Sequence, residues 1–110
     1  AELGLEIPGS DVVRVAHTLG LALGKVGLAL GDLIHPEKRG SVRESCRAIH
    51  RLADETDTRA IEARGRLFSE QRPAVEIVAL IAVCEPLEGA ARLCRDLGAT
   101  IERVLIEHDL

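Results

Sequence analysis

The side chains able to do covalent chemistry are few and scattered. The 110 residues include three cysteines, Cys46, Cys84 and Cys94, and four histidines, His17, His35, His50 and His108. Cys46 stands four residues before His50, a spacing that puts thiol and imidazole on one helix face. Cys46 also belongs to an apolar stripe, so the pair reads as a core thiol beside an exposed imidazole. The cysteine count is odd and shows no CxxC or CxxH spacing, which points to buried, reduced thiols acting as small apolar residues in a reducing compartment. Ser10, Ser41, Ser45 and Ser69 fall at caps or on exposed faces, and none sits in Gly-x-Ser-x-Gly. No glycine-rich loop lies between a strand and a helix to cradle phosphate. No catalytic residue is assigned, and the chain is expected not to be an enzyme. The alternative is a small enzyme whose active site assembles between subunits.

Noncovalent chemistry is better represented. Arg43, Arg47 and Arg51 form one row and Glu62–Arg66 another, both read as solvated faces; the arginine row could dock an acidic partner. His17 lies beside an apolar stripe and suits a partly buried polar contact, while His35 suits a helix end. The net charge is −4 and Phe68 is the single aromatic residue, so there is neither a basic stripe nor a stacking platform, which argues against nucleic-acid binding.

The elements that must carry these residues are helices. Val12, Val15, Leu19, Ala22, Val26, Ala29 and Leu33 alternate spacings of three and four. Val42, Cys46, Ile49, Ala53, Thr56, Ala60, Ala63 and Leu67 repeat the pattern, as do Ile77, Leu80, Cys84, Leu87, Ala91, Cys94, Gly98, Ile101 and Leu105. Ser10 or Asp11 offers an N-cap to the first helix, and Ser41 with Glu44 has the spacing of a capping box for the second. Pro36 ends the first helix and Pro73 suits the first turn of the third. Pro86 falls inside the third stripe without changing its phase, which predicts one bent helix rather than two. The expected helices cover about 11–35, 42–70 and 73–108, roughly 37, 44 and 54 Å long. Short linkers make them antiparallel neighbours in one long up-down-up three-helix bundle spanning 1–110.

Helix 1 carries a second stripe, Gly20, Gly24, Gly27 and Gly31. Glycine inside a helix is costly, so the stripe calls for the close approach of another helix, either within the bundle or from a second chain. A core without large anchors, thin for a small domain, gives a further reason to expect a dimer. Lys25 and Asp32 interrupt the apolar stretch from Leu19 to Ile34, so it is expected to fall short of a transmembrane helix. The opening AELGLEIPGS reads as a loose lead-in, not a signal peptide.

The run from Ile49 to Phe68, IHRLADETDTRAIEARGRLF, resembles the second helix of a PhoU-like repeat, and the run from Leu87 to Leu110, LEGAARLCRDLGATIERVLIEHDL, resembles its third, especially in small PhoU-related proteins that accompany phosphate transporters. The resemblance implies a three-helix repeat, usually present twice in a chain, so this chain is either a fragment or a single repeat that pairs with itself. It implies a non-catalytic regulatory or accessory role in inorganic phosphate transport or its signalling. The protein would be cytoplasmic, peripheral to the membrane through a transporter or signalling partner. The family's metal sites use Glu followed four residues later by Asp. Those positions fall on Ala53 and Asp57 in helix 2 and on Glu88 and Arg92 in helix 3, so each motif keeps one acid of two. No cofactor is therefore expected. A salt bridge from Arg92 to Asp57 or Glu88 is expected in place of the metal. Asp54, Glu55 and Asp96 are the acids that could shift such a site. A divalent or ferric ion held at Asp57 and Glu88 by a metal-binding bundle is the alternative.

Overall fold

The computed structural model describes residues 9–108, which form an all-α three-helix bundle. Helix α1 spans Gly9–Leu33, α2 Arg39–Ser69 and α3 Ala74–Glu107. A short 3-10 turn, Pro36–Lys38, joins α1 to α2. Each predicted stripe faces inward: Val15, Leu19, Ala22, Val26 and Ala29 of α1 are buried, with Val12 and Leu33 half-buried at the ends. The stripes of α2 and α3 meet them in three successive layers of core along the bundle. A helix of 34 residues is about 51 Å long, and it sets the length of a bundle measuring 56 × 21 × 15 Å.

The ends differ from expectation in instructive ways. His35 precedes proline and is extended, at φ −108° and ψ 104°, which stops α1. Helical geometry resumes immediately, however, because Arg39 is already at φ −54° and ψ −44°. Helix α2 therefore starts three residues early. Lys38 occupies its N-cap position without a side-chain cap, and Ser41 and Glu44 lie inside the helix rather than forming a capping box. Helix α1 begins at Gly9, so Ser10 and Asp11 sit in its first turn and the cap position, like most of the predicted lead-in, lies outside the described residues. Asp11 instead pairs with Arg66, whose Nη2 donates over 2.8 Å, tying the start of α1 to the end of α2.

Pro73 is the N-cap of α3, one position before the predicted first turn. Helix α3 runs through Pro86 as one element, as expected. The turn before it closes on Gln71 at φ 55°, a left-handed position usually given to glycine or asparagine. Backbone bonds from Glu70, Gln71 and Arg72 back to Arg66, Phe68 and Leu67 hold it there.

Alanine, cysteine and glycine make up much of the interior, and Phe68 lies outside, 60% exposed. With small side chains at the seams, the helices come close. Among the described glycines the closest contact is at Gly98, where an added Cβ would lie 3.1 Å from Cγ2 of Ile49 and 3.8 Å from Nε2 of His50. Gly98→Ala is expected to be nearly neutral, since better helix propensity offsets a small displacement of Ile49. Gly98→Val is expected to cost about 2 kcal/mol by overpacking the α2–α3 seam. Urea unfolding measures both, and a Gly98→Val protein as stable as wild type would show that the seam is looser than described.

Candidate functional site

Two features of the surface carry the residues singled out by sequence. The first is a row of cross-helix polar pairs on the α2–α3 seam, two of them salt bridges. Nε2 of His50 lies 3.3 Å from Oε1 of Glu102. Arg95 Nη2 donates to Asp57 over 2.8 Å and to Asp54 over 2.9 Å. Arg64 Nη1 donates to Glu88 over 2.6 Å. The rungs recur every seven residues on both helices, at 50, 57 and 64 on α2 against 102, 95 and 88 on α3. Hydrogen bonding to Asp57, then to Asp54, together with the charge of both carboxylates, raises the pKa of the Arg95 guanidinium against the opposing effect of its partial burial.

This arrangement corrects the expected bridge. Asp57 and Glu88 are both ion-paired, but their partners are Arg95 and Arg64. Arg92 is exposed and makes neither bond, because the turn of α3 that faces α2 presents Arg95 instead. Ala53 is fully buried in the core. Asp57 and Glu88 occupy adjacent rungs, about 10 Å apart along the bundle, too far to share one ion directly. Among the described residues, no three or more His, Cys, Asp and Glu side chains gather as a metal site would require. His50, expected to be exposed, is half-buried and paired with Glu102, whereas His17, expected to be partly buried, is exposed. Ser45, expected at a cap or on the surface, is buried. Arg43, Arg47 and Arg51 form the exposed row anticipated for them.

The second feature is the outer face of α1. Gly20, Gly24, Gly27 and Gly31 point away from the bundle, and a Cβ added at any of them would meet nothing within 4 Å. That removes a tight contact inside the bundle as the reason for the stripe. Four interior glycines leave α1 weaker by about 3–4 kcal/mol than four alanines, and no contact among the described residues offsets it. Beside the stripe stand Leu21, Leu23, Leu28 and Leu30, 48 to 51% exposed, with Val13 and Ile34 at 64 and 79% near the ends. From Leu19 to Gly31 α1 is thus apolar on every side except at Lys25, a pattern that belongs to a helix segment covered all round.

The α2-side shoulder of that face borders two grooves. One, of about 380 Å³, is mostly apolar and includes Val13, His17, Leu21 and Arg59. The other, of about 410 Å³, holds Lys25, Asp32, Glu44 and Arg51, of both charges. By length and composition Ser10–Leu33 is apolar enough to cross a membrane, with a mean hydropathy of 1.3. Lys25 and Asp32 therefore do not disqualify it as expected, although core helices of soluble bundles meet the same criterion. Only 33% of its most apolar window is buried inside the bundle.

The three thiols are free and essentially inaccessible. Burial pushes all three pKa values up. At Cys84 the carboxylates of Glu88 and Asp11 add to this and Arg64 opposes it. Such thiols are poor nucleophiles and poor ligands.

Comparison with protein-family models, curated proteins and solved structures found no match.

Both ion-paired surface and buried thiols give measurable outcomes. Arg64→Ala leaves the 15%-exposed Glu88 carboxylate without its partner and is expected to cost about 1–2 kcal/mol. Arg59→Ala breaks only the more open Glu55 pair within α2 and is expected to cost about 0.5 kcal/mol or less. Equal losses in urea unfolding would contradict the ranking. The thiols should resist a thiol-specific reagent in the native protein and react on unfolding. Their raised pKa values also fix a pH dependence. Stability should be unaffected by them below the ordinary thiol value of 9.0 and decline as pH rises past it, because the unfolded chain loses those protons first. A Cys46→Ala/Cys84→Ala/Cys94→Ala protein should show less of that alkaline decline.

Proposed function

We propose that the chain is a non-catalytic regulatory or accessory protein that works through helix-mediated protein contacts. The observation that carries this reading is the outer face of α1. A face of glycines flanked by exposed leucines is suited to receiving another helix, and it offers no group for acid–base or nucleophilic work. The arrangement of charge supports the same conclusion, since the acids that resemble a metal motif are held by Arg95 and Arg64 along the α2–α3 seam. The setting is supplied by the resemblance of the α2 and α3 sequences to PhoU-like proteins: inorganic phosphate transport or its signalling, at the cytoplasmic side of a transporter.

The test is phosphate uptake in cells that depend on the chain. Removing the chain should change the uptake rate, and Leu23→Glu/Leu28→Glu should reproduce the removal while the variant keeps its helical circular dichroism. Both substitutions are at exposed sites, so folding should survive them. Uptake indifferent to removal of the chain sinks the phosphate setting. Uptake that needs the chain but tolerates the double substitution sinks the role of the α1 face.

A further inference from the structure

The outer face of α1 reads the same from either end. Residues 20–31 are GLALGKVGLALG, and reversal exchanges only the central Lys25 and Val26. The four glycines, the four exposed leucines and the buried Ala22 and Ala29 are all placed symmetrically about the point between those two residues. A twofold axis level with that point, perpendicular to both helices and running midway between them, sets each position at the height of its mirror position in an antiparallel copy. Isologous interfaces are self-complementary in this sense. Resting on the reading of this face as the working surface, we infer that its occupant is a second copy of the chain, packed antiparallel α1 to α1.

Helix geometry gives the register. At 1.5 Å and 100° per residue, Gly20 meets Gly31 of the second copy and Gly24 meets its Gly27 along the centre of the contact. On one shoulder Leu21 comes beside Leu28 of the second copy, and on the other Leu23 comes beside its Leu30, each displaced by about 3 Å along the axis. Glycine faces glycine where the backbones are nearest, and leucines close both sides. The charge nearest the centre does not obstruct this, because Lys25 is turned into the α1–α2 groove with Asp32 and Glu44.

The area is sufficient. The exposed fractions of Leu21, Leu23, Leu28, Leu30 and Ile34, which lie within the span alongside α1 of the second copy, amount to roughly 500 Å² per copy, so a pair buries about 1,000 Å², the lower bound of a specific interface. A lipid surface fits less well. The net charge of −4 disfavours anionic headgroups, and the face lacks the Trp, Phe and basic rim of an interfacial helix.

Sedimentation equilibrium of the full chain should give twice 11.8 kDa. Leu23→Glu/Leu28→Glu should leave a folded monomer. Gly24→Ala/Gly27→Ala is the sharper variant, since alanine favours the isolated helix and meets no neighbour in the monomer. It should raise thermal stability under monomeric conditions and weaken dimerisation by about ten-fold or more. For orientation, Gly20→Cys mixed with Gly31→Cys should cross-link to each other under mild oxidation, and neither alone to itself. A monomeric wild-type chain overturns the inference, as does a dimer indifferent to the glutamates or the alanines, or Gly20→Cys cross-linking to itself. Monomers that sediment with phosphatidylserine vesicles overturn it in favour of lipid. The two readings fail separately. A monomer whose glutamate variant still disturbs phosphate uptake leaves the docking role standing with another occupant. A symmetric dimer with no effect on uptake keeps the pairing and removes the phosphate setting.

Discussion

Close approach of helices is the constraint on which the rest of this structure depends. With no aromatic side chain inside and with Ala22, Ala29, Ala53, Ala60, Ala63 and Ala91 fully buried, the seams offer little volume per residue. Dispersion attraction falls off steeply with distance, so such seams hold only if the backbones come near. Gly98 against Ile49 is one such close approach. The same economy makes the bundle narrow, 15 Å in its thinnest direction, and a narrow three-helix bundle cannot wrap all sides of α1. Burial of one face and exposure of the other thus follow from a single choice of side-chain size.

Small, similar side chains create a second problem, which is register. An apolar seam repeating every seven residues is nearly as well matched after a slip of seven. The ion-pair ladder breaks that degeneracy. In the native register His50, Asp57 and Arg64 of α2 face Glu102, Arg95 and Glu88 of α3. Slipped by seven, Asp57 would face Glu88 and His50 would face Arg95, so attraction becomes repulsion or is lost. Each pair is partly exposed and contributes modestly to stability, but the difference between registers counts every rung. The acids at positions resembling a metal motif are accounted for by this role.

The three helices and their inward faces were legible in the sequence because a spacing of three and four over about six turns or more leaves one solution. Every stripe residue from Val42 to Leu67 is buried. The helix starts were less legible. Ser41 and Glu44 have the spacing of a cap, yet the 3-10 turn after Pro36 already supplies helical geometry, which no local cap signal reports. The pairing of Arg95 and Arg64 in place of Arg92 was missed because it depends on the relative rotation of two helices. The signal was available in the seven-residue spacing of 50, 57 and 64 and of 88, 95 and 102, once the helices are set antiparallel. His50 was missed for the same reason, since its partner lies on the other helix. At the α1 face the glycine stripe was legible, whereas its direction was not. The overlooked sign was that Leu21, Leu23, Leu28 and Leu30 leave almost no polar residue to mark a solvent side.

Inside and outside of α1 can be compared directly. Within the bundle, glycine at position 98 lets a neighbouring helix come near and isoleucine fills the space beside it. On the outer face of α1 the same two ingredients recur, glycines in line with leucines on either side, but no neighbouring helix covers them among the described residues. Selection for a stable monomer alone would favour alanine at those four positions, since nothing in the bundle stands in its way. It would favour charge in place of the leucines for solubility. Both departures run in the same direction and at the same height of the helix. The surface has the composition of an interior seam, and an interior seam has a second side.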